Sequence, residues 1–141
     1  MNKFNNPTSE RIRTLLGEVK TIAVVGLSPH PARPSNEVAR AMQGFGYRII
    51  PVRPLVNEVL GERAYATLAE VPSRIDLVDV FRAAEHVDAI VDECLRLGIN
   101  RLWLQEGVIN EAAAGRAQMG GIEVVMDRCV LRDYLALGVQ R

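Results

Sequence analysis

Residues 21–35, which read TIAVVGLSPHPARPS, decide the fold. The middle of the first five residues is continuously apolar, which predicts a strand covered on both of its faces. Gly26 suits a tight turn after this strand. Ser35 is the expected N-cap of a helix over 35–44, because its hydroxyl can accept hydrogen bonds from the free amides of the first turn. A buried strand followed closely by a helix is typical of a parallel α/β sheet.

The rest of the chain repeats this alternation of strand and helix. The predicted strands span 21–26, 47–52, 75–81, 101–104 and 122–126, and the predicted helices span 8–17, 35–44, 84–98, 110–120 and 128–138. The connection between the second and third strands is extended and contains only one short helical piece, near 68–71. We therefore predict a Rossmann-like, doubly wound α/β fold with a five-stranded parallel sheet in the order 3-2-1-4-5 and helices on both faces.

Length and composition limit the classes of function. A chain of 141 residues predicts a single domain over 1–141, with residues 1–7 flexible. Seventeen basic residues balance seventeen acidic ones, which argues against a nucleic-acid partner or a membrane-surface partner. Two histidines and two cysteines are too few and too scattered for a metal site of usual spacing. The sequence has no signal peptide and no bilayer-spanning apolar run, so a cytoplasmic location is expected.

Arginines cluster after the predicted strands. Ligands of open parallel sheets bind beyond the carboxyl ends of the strands where the strand order reverses, here expected between strands one and four. The arginines near these ends are Arg33, Arg53, Arg82 and Arg128. They indicate an anionic ligand, although exposed loops also carry arginine without a ligand.

The loop after the first strand suits a phosphate but departs from the dinucleotide fingerprint. Ser28 stands where the second glycine of G-x-G-x-x-G would be, and three prolines stiffen the loop. The Ser28 hydroxyl could donate to a phosphate in place of that glycine's close backbone approach. Strand two ends at Arg53 with no acid before Glu58, which disfavours NAD. NADP and coenzyme A (CoA) remain, and CoA is favoured because the chain leaves no domain to receive a nicotinamide.

All five strand ends carry motifs of one known family. The motifs are residues 22–29, 33–35, 46–52, 59–62, 76–82, 103–105 with 107–108, and 124–129. With them the chain resembles the small stand-alone CoA-binding proteins, which are single-domain relatives of the CoA-binding domain of the succinyl-CoA synthetase α subunit.

The resemblance implies that CoA or an acyl-CoA lies across the carboxyl edge of the sheet. The first loop and Arg33 would contact the pyrophosphate, and Arg53 with Pro54 would lie by the adenosine 3′-phosphate. Residues 80–82 would lie beside the adenine or ribose, and residues 105–107 would lie along the pantetheine arm. The candidate binding residues are Gly26, Ser28, Pro29, His30, Pro31, Arg33, Ser35, Arg53, Pro54, Val80, Phe81, Arg82, Gln105, Glu106 and Gly107.

Two positions depart from the family pattern. Arg53 stands where the family usually has asparagine, which predicts an electrostatic contact there in place of an amide hydrogen bond. Leu55 and Val56 stand where the synthetase relatives carry lysines. Arg53 or Arg82 would therefore have to supply the usual charged contact.

No catalytic constellation is evident. The synthetases use a phosphorylated histidine on a second domain, and His30 and His86 are expected to be structural. The favoured function is non-catalytic binding of CoA or an acyl-CoA, in a regulatory or carrier role. One alternative is an NADP-binding or acyl-transfer component completed by a partner or second subunit, and another is an interaction protein with a vestigial cleft. The expected partner is a small nucleotide ligand, the chain being a monomer or homodimer with a protein partner left open.

Three further titratable side chains lie in or beside the predicted strands. Cys129 follows Arg128 at the mouth of the last helix, where the thiolate would be favoured and could form a mixed disulfide with the CoA thiol. Packing of that helix on strand five is the favoured interpretation of the same residue. Asp79 is expected to brace the neighbouring loops, and Asp76 to be solvated at the sheet edge.

Overall fold

A parallel sheet runs through the computed structural model, which describes residues 4–140. The strands are β1 (Thr21–Val25), β2 (Arg48–Val52), β3 (Glu58–Val59), β4 (Glu62–Arg63), β5 (Leu77–Val80), β6 (Arg101–Leu104) and β7 (Glu123–Met126). The helices are α1 (Ser9–Glu18), α2 (Pro34–Gly44), α3 (Val87–Leu97), α4 (Glu111–Met119) and α5 (Val130–Ala136). β3 and β4 form a small antiparallel hairpin, and the other five strands form the sheet. The predicted fold class is confirmed.

Helices cover both faces of the sheet. Ala23 and Val25 of β1 pack into one core with residues of α3 and α4, whereas Ile22 and Val24 pack into the other core with residues of α1, α2 and α5. Successive residues of a strand point to opposite faces, so a strand buried on both faces must be continuously apolar. This requirement explains the apolar run that the sequence shows in β1.

The order of the strands differs from the prediction. The sheet runs β2-β1-β5-β6-β7, which is 2-1-3-4-5 for the five parallel strands, so the predicted order 3-2-1-4-5 is wrong. The chain after β2 occupies the outer edge of that strand. The amide of Tyr65 donates to the Pro51 carbonyl at 3.0 Å, and the amide of Arg53 donates to the Tyr65 carbonyl at 2.8 Å. The third strand, β5, therefore pairs with β1, and the strand order reverses between β1 and β5.

The turn after β1 requires glycine. Gly26 has a φ of +87°, and a Cβ there would lie 2.6 Å from the carbonyl oxygen of Phe81. Any side chain would therefore meet both backbone strain and a backbone clash. The end of β1 can approach the end of β5 this closely because residue 26 has no side chain.

Helix α2 begins one residue before its predicted start. Arg33 is its N-cap and Pro34 its first residue, where the missing amide of proline costs no hydrogen bond. Ser35 therefore lies inside the helix and is not the cap. Its Oγ instead accepts a hydrogen bond from the Ser28 amide at 2.9 Å. Asn110 does cap α4, accepting from the Ala113 amide at 3.0 Å, as the sequence predicted.

The start of the chain is anchored where it is described. The carboxamide of Asn6 donates to the Met126 carbonyl at 2.9 Å and accepts from the Met126 amide at 2.7 Å. Phe4 is partly buried against the core. These contacts involve Phe4 and Asn6. Residues 1–3 lie outside the described part, so the flexibility predicted for 1–7 stays a prediction. Within residues 4–140 no helix is long and apolar enough to cross a bilayer.

Candidate functional site

A cleft of about 930 Å³ opens at the carboxyl ends of β1, β2, β5 and β6, where the strand order reverses. The loops after these strands and the first turn of α5 form its walls. The predicted residues that line it are Gly26, Ser28, His30, Arg33, Ser35, Arg53, Phe81, Arg82, Gln105, Glu106 and Gly107. The sheet reversal therefore brings residues from four separate strand ends into one cleft.

Four predicted residues do not line this cleft. Val80 is fully buried in the sheet, so its side chain cannot form a wall. Pro54 lines a separate hollow of about 180 Å³ together with Arg82 and His86. Pro29 and Pro31 are exposed in the first loop and are not part of the lining. Their roles as ligand contacts stay predictions from the resemblance.

Other lining residues were missed by the sequence analysis. They are Pro34, Glu37, Val38, Val108, Leu131 and Arg132, while Cys129 lines the cleft although packing was its favoured interpretation. Pro34 and Val108 lie within the strand-end motifs, but those motifs give no signal for the helical residues Glu37, Val38, Leu131 and Arg132. Whether a residue of α2 or α5 faces the cleft depends on how each helix is rotated on the sheet, which tertiary packing determines.

Hydrogen bonds hold the first loop in one conformation. The Ser28 amide donates to the Ser35 hydroxyl, and the Asn36 side chain donates to the Ser28 carbonyl at 2.9 Å. The Ser28 hydroxyl oxygen accepts from the His30 amide at 3.1 Å. This bond leaves the hydroxyl hydrogen of Ser28 free to donate, and its donation to a ligand stays a prediction. A loop fixed in this way loses little conformational entropy when a ligand binds.

The end of the cleft near β1, β2 and β5 carries uncompensated positive charge. Arg33, Arg53 and Arg82 line it, and none of them forms an ion pair within residues 4–140. Arg53 makes one long contact, from Nη1 to the Gly26 carbonyl at 3.4 Å. Glu37 is the acid that lines this end. A cleft with excess charge of one sign concentrates ligands of the opposite sign. This end is suited to phosphates.

The end near β6 and β7 is electrostatically balanced. Arg132 Nη1 lies 2.5 Å from Glu106 Oε2, and both residues line the cleft. Arg128 forms a bidentate ion pair with Asp133, from Nε to Oδ2 at 2.6 Å and from Nη2 to Oδ1 at 2.8 Å. It does not line the cleft. The hydrogen-bonded carboxylates raise the pKa of both guanidinium groups above the ordinary value. The expectation that Arg128 would serve an anionic ligand is therefore wrong, because Asp133 already occupies its guanidinium.

Gln105 and Cys129 lie at this balanced end. Gln105 is only 4% exposed, and its Oε1 accepts from the Val130 amide at 3.1 Å. Its Nε2 has no hydrogen-bond partner among the described residues. Cys129 is half-buried in the cleft wall. In contrast, Cys94 is fully buried, and burial raises the pKa of its thiol to about 12.

Asp79 and Asp76 differ from their expected roles. Asp79 lies inside the sheet at 2% exposure, and its Oδ1 has no hydrogen-bond partner in the described part of the chain. It therefore does not brace loops, and burial raises its pKa well above the ordinary value. Asp76 accepts from the amides of Lys20 and Thr21, both at 3.0 Å, and so fixes the start of β1. Among residues 4–140 no group of three or more His, Cys, Asp or Glu side chains could hold a metal ion.

Comparison with known proteins identifies the family. Residues 20–134 match the model of the CoA binding domain. The protein YneT of Bacillus subtilis (strain 168) is 42% identical over 127 residues, which cover 90% of this chain and 94% of YneT. A hypothetical protein from Pyrococcus horikoshii OT3 has the same fold, with a TM-score of 0.90 and 32% identity over 97% of this chain and 99% of that one.

A longer relative contains a similar region. Acetate–CoA ligase [ADP-forming] I of Archaeoglobus fulgidus is 30% identical over 77 residues. The match covers 55% of this chain but spans only 11% of the ligase. The resemblance seen in the strand-end motifs is confirmed by these matches, and the chain belongs to the family of CoA-binding domains.

Proposed function

We propose that this protein binds CoA or an acyl-CoA in the cleft and catalyses no reaction on it, in a regulatory or carrier role. The observation that carries the proposal is the group of three unpaired arginines, Arg33, Arg53 and Arg82, around the phosphate-suited first loop. Family membership supports CoA as the ligand, since the match extends through all the elements that form the cleft.

The charge distribution of the cleft fits the chemistry of CoA. All the phosphates of CoA are at its nucleotide end, and its pantetheine arm is uncharged and ends in a thiol. The arginine end of the cleft suits the phosphates. The balanced end, with Gln105 for amide hydrogen bonding and Val108 and Leu131 for apolar contact, suits the arm.

The side chains of the cleft support binding more than catalysis. Glu106 is the acid nearest the thiol end of such a ligand, and it already bonds to Arg132. His30 lines the cleft but forms no ion pair with a carboxylate within residues 4–140. General acid–base catalysis needs a titratable group free to exchange a proton with the substrate, and the acid at the thiol end is occupied.

Titration calorimetry tests the ligand. We expect CoA and acetyl-CoA to bind with dissociation constants of about micromolar order, that is about 8 kcal/mol. NADP also has a pyrophosphate and a phosphorylated adenosine, but its extra phosphate is on the ribose 2′ oxygen and it lacks the arm, so it should bind roughly tenfold weaker or worse, and NAD weaker still. No heat with CoA, or tighter binding of NADP, would contradict the proposal and favour the NADP-binding alternative.

A thiol-release assay tests the absence of catalysis. Acetyl-CoA incubated with the protein should release no more free thiol than in buffer alone. Release above that background would favour the acyl-transfer alternative.

A further inference from the structure

We propose that Cys129 captures CoA covalently, by exchange with a disulfide that carries CoA, so that the protein and the ligand become joined through a mixed disulfide in the cleft. The inference rests on the proposed function and adds redox regulation to it. The protein would bind CoA reversibly in a reducing environment and retain it covalently in an oxidising one.

The position of Cys129 is the first support. The residue is half-buried and lines the cleft at its balanced end. Its neighbour Val130 donates its amide to Gln105, which ties the cysteine to the loop after β6. If the phosphates of CoA lie at the arginine end, the uncharged arm extends toward this wall. The thiol of the ligand and the thiol of the protein would then meet at the same end of the cleft.

Gln105 provides an independent indication of a ligand at this end. Its side chain is more than nine-tenths buried, its Oε1 is engaged by Val130, and its Nε2 has no partner among the described residues. The Nε2 group is therefore available to donate to a ligand in the cleft that Gln105 lines. A carbonyl of the pantetheine arm would satisfy this donor without introducing charge. The same hydrogen bond would hold the end of the arm beside Cys129.

Exchange also needs a sulfur that the reagent can reach. Cys129 is half-buried and lines the cleft, so a disulfide held there can approach its sulfur, whose thiolate form is the nucleophile in disulfide exchange.

The step balances without a further oxidant. The Cys129 thiolate attacks the sulfur of the CoA half held in the cleft, and a new sulfur–sulfur bond forms as the old one breaks. The other half leaves as a thiolate and takes up a proton equivalent to the one that Cys129 released. A small free thiol reverses the step by attacking the mixed disulfide.

Cys94 is the internal control. It is fully buried on the core-facing side of α3 and does not line the cleft, and its raised thiol pKa disfavours the thiolate. The inference therefore requires modification of Cys129 and no modification of Cys94.

Intact-mass and peptide spectrometry test the inference, with CoA disulfide as the probe. We expect one CoA adduct, mapped to Cys129, which the Cys129→Ser variant loses and the Cys94→Ala variant keeps. Adenosine 3′,5′-bisphosphate lacks the arm but competes for the arginine end, so it should slow the adduct. The small reagent 2-hydroxyethyl disulfide should react roughly tenfold or more slowly at equal concentration, since it gains no effective concentration from binding.

The Gln105→Glu variant tests the positioning of the arm. It keeps the oxygen that accepts from Val130 and loses the NH₂ donor. We expect adduct formation with CoA disulfide to slow by about tenfold, the loss of one hydrogen bond, while reaction with 2-hydroxyethyl disulfide is unchanged. Equal slowing of both reagents would mean that the variant alters Cys129 itself, and it would overturn the positioning role.

The outcomes separate this inference from the proposed function. If calorimetry shows CoA binding to the reduced protein and no adduct forms, covalent capture is wrong and the binding function stands. If CoA does not bind to the reduced protein, the proposed function is wrong as well. Adducts on Cys94, or equal rates with both disulfides, would also overturn selective capture in the cleft.

Discussion

Two groups of arginines, at opposite edges of the parallel sheet, differ in whether they have carboxylate partners. Three arginines at the amino edge are paired with carboxylates, in the pairs Arg11–Glu123 at 2.6 Å, Arg101–Glu18 at 3.2 Å and Arg74–Asp76 at 3.3 Å. At the carboxyl edge Arg33, Arg53 and Arg82 have no such partner within residues 4–140. The first set joins elements of the fold to one another, whereas the second set leaves charge directed at the cleft.

The difference shows how a neutral chain can bind an anion. A formal net charge of zero says nothing about a local excess of one sign. The excess at the carboxyl edge is balanced by acids elsewhere on the protein. Arg33, Arg53 and Arg82 share the cleft without a carboxylate partner among residues 4–140, so we interpret them as ligand groups.

Removing the cationic group should have the largest effect. For the combined variant Arg33→Ala, Arg53→Ala and Arg82→Ala we expect CoA affinity to fall by roughly 100-fold or more, because each charge-assisted hydrogen bond contributes about 1.5–3 kcal/mol. The melting temperature should change little, since these side chains form no ion pair among residues 4–140 and Arg53 makes only one long contact, to the Gly26 carbonyl at 3.4 Å. Calorimetry and thermal melting measure the two quantities.

The amino edge supplies the matched control. The variant Arg11→Ala with Arg101→Ala removes two arginines whose carboxylate partners lie at that edge. Stability should fall by about 1 kcal/mol or less, as for exposed ion pairs, with CoA affinity unchanged. Equal loss of affinity in the two variants would mean that only the total charge matters.

The turn that closes the carboxyl edge should show the next largest effect. In Gly26→Ala the new Cβ meets the Phe81 carbonyl, and the left-handed backbone is strained. We expect unfolding free energy to fall by about 2–3 kcal/mol, with weaker CoA binding. Gly61→Ala is the control, because it has a similar φ of +76° and no atom near the new Cβ. If urea unfolding shows that Gly26→Ala and Gly61→Ala lose the same unfolding free energy, the contact of the new Cβ with the Phe81 carbonyl contributes nothing to the loss.

Between the edges, the buried Asp79 makes stability depend on pH. Burial raises its pKa in the native state, so the unfolded chain loses this proton first as the pH rises above about 4. The native state then binds more protons, and its stability falls by roughly 1 kcal/mol per pH unit until Asp79 ionises in the native state too. Asp79→Asn should remove this slope in urea unfolding between pH 4 and 8. A variant less stable than the wild type at pH 8 would contradict this account.

The smallest effect is expected at the first loop. Ser28→Ala removes one hydroxyl donor from the cleft and should weaken CoA binding by about three- to tenfold, the range for a single hydrogen bond. It also removes the acceptor of the His30 amide, so part of the loss would reflect a looser loop. The same substitution at Thr14, whose hydroxyl donates to the Glu10 carbonyl on α1, should not alter CoA affinity in calorimetry. Unchanged affinity in Ser28→Ala would remove this residue from the site.

Local patterns predicted most of the fold and part of the site. Apolar runs, caps and glycine stops depend on neighbours in sequence, so the strands and helices lie within a few residues of their predicted positions. The strand order depends on Tyr65 pairing beside β2, a contact between distant residues that no local pattern encodes. In the same way, the presence of Arg128 at a strand end was visible in the sequence, but its bond to Asp133 was not.

Resonance shifts of the protein on addition of CoA compare the two edges most directly. In a ¹H–¹⁵N spectrum we expect the backbone amides of Gly26, Ser28, His30 and Gly107 to move as CoA is added. The amides of Lys20, Asn100 and Glu123, at the amino edge, should stay in place. The largest shifts at the amino edge, or no shifts at millimolar CoA, would contradict the assignment of the ligand to the carboxyl edge.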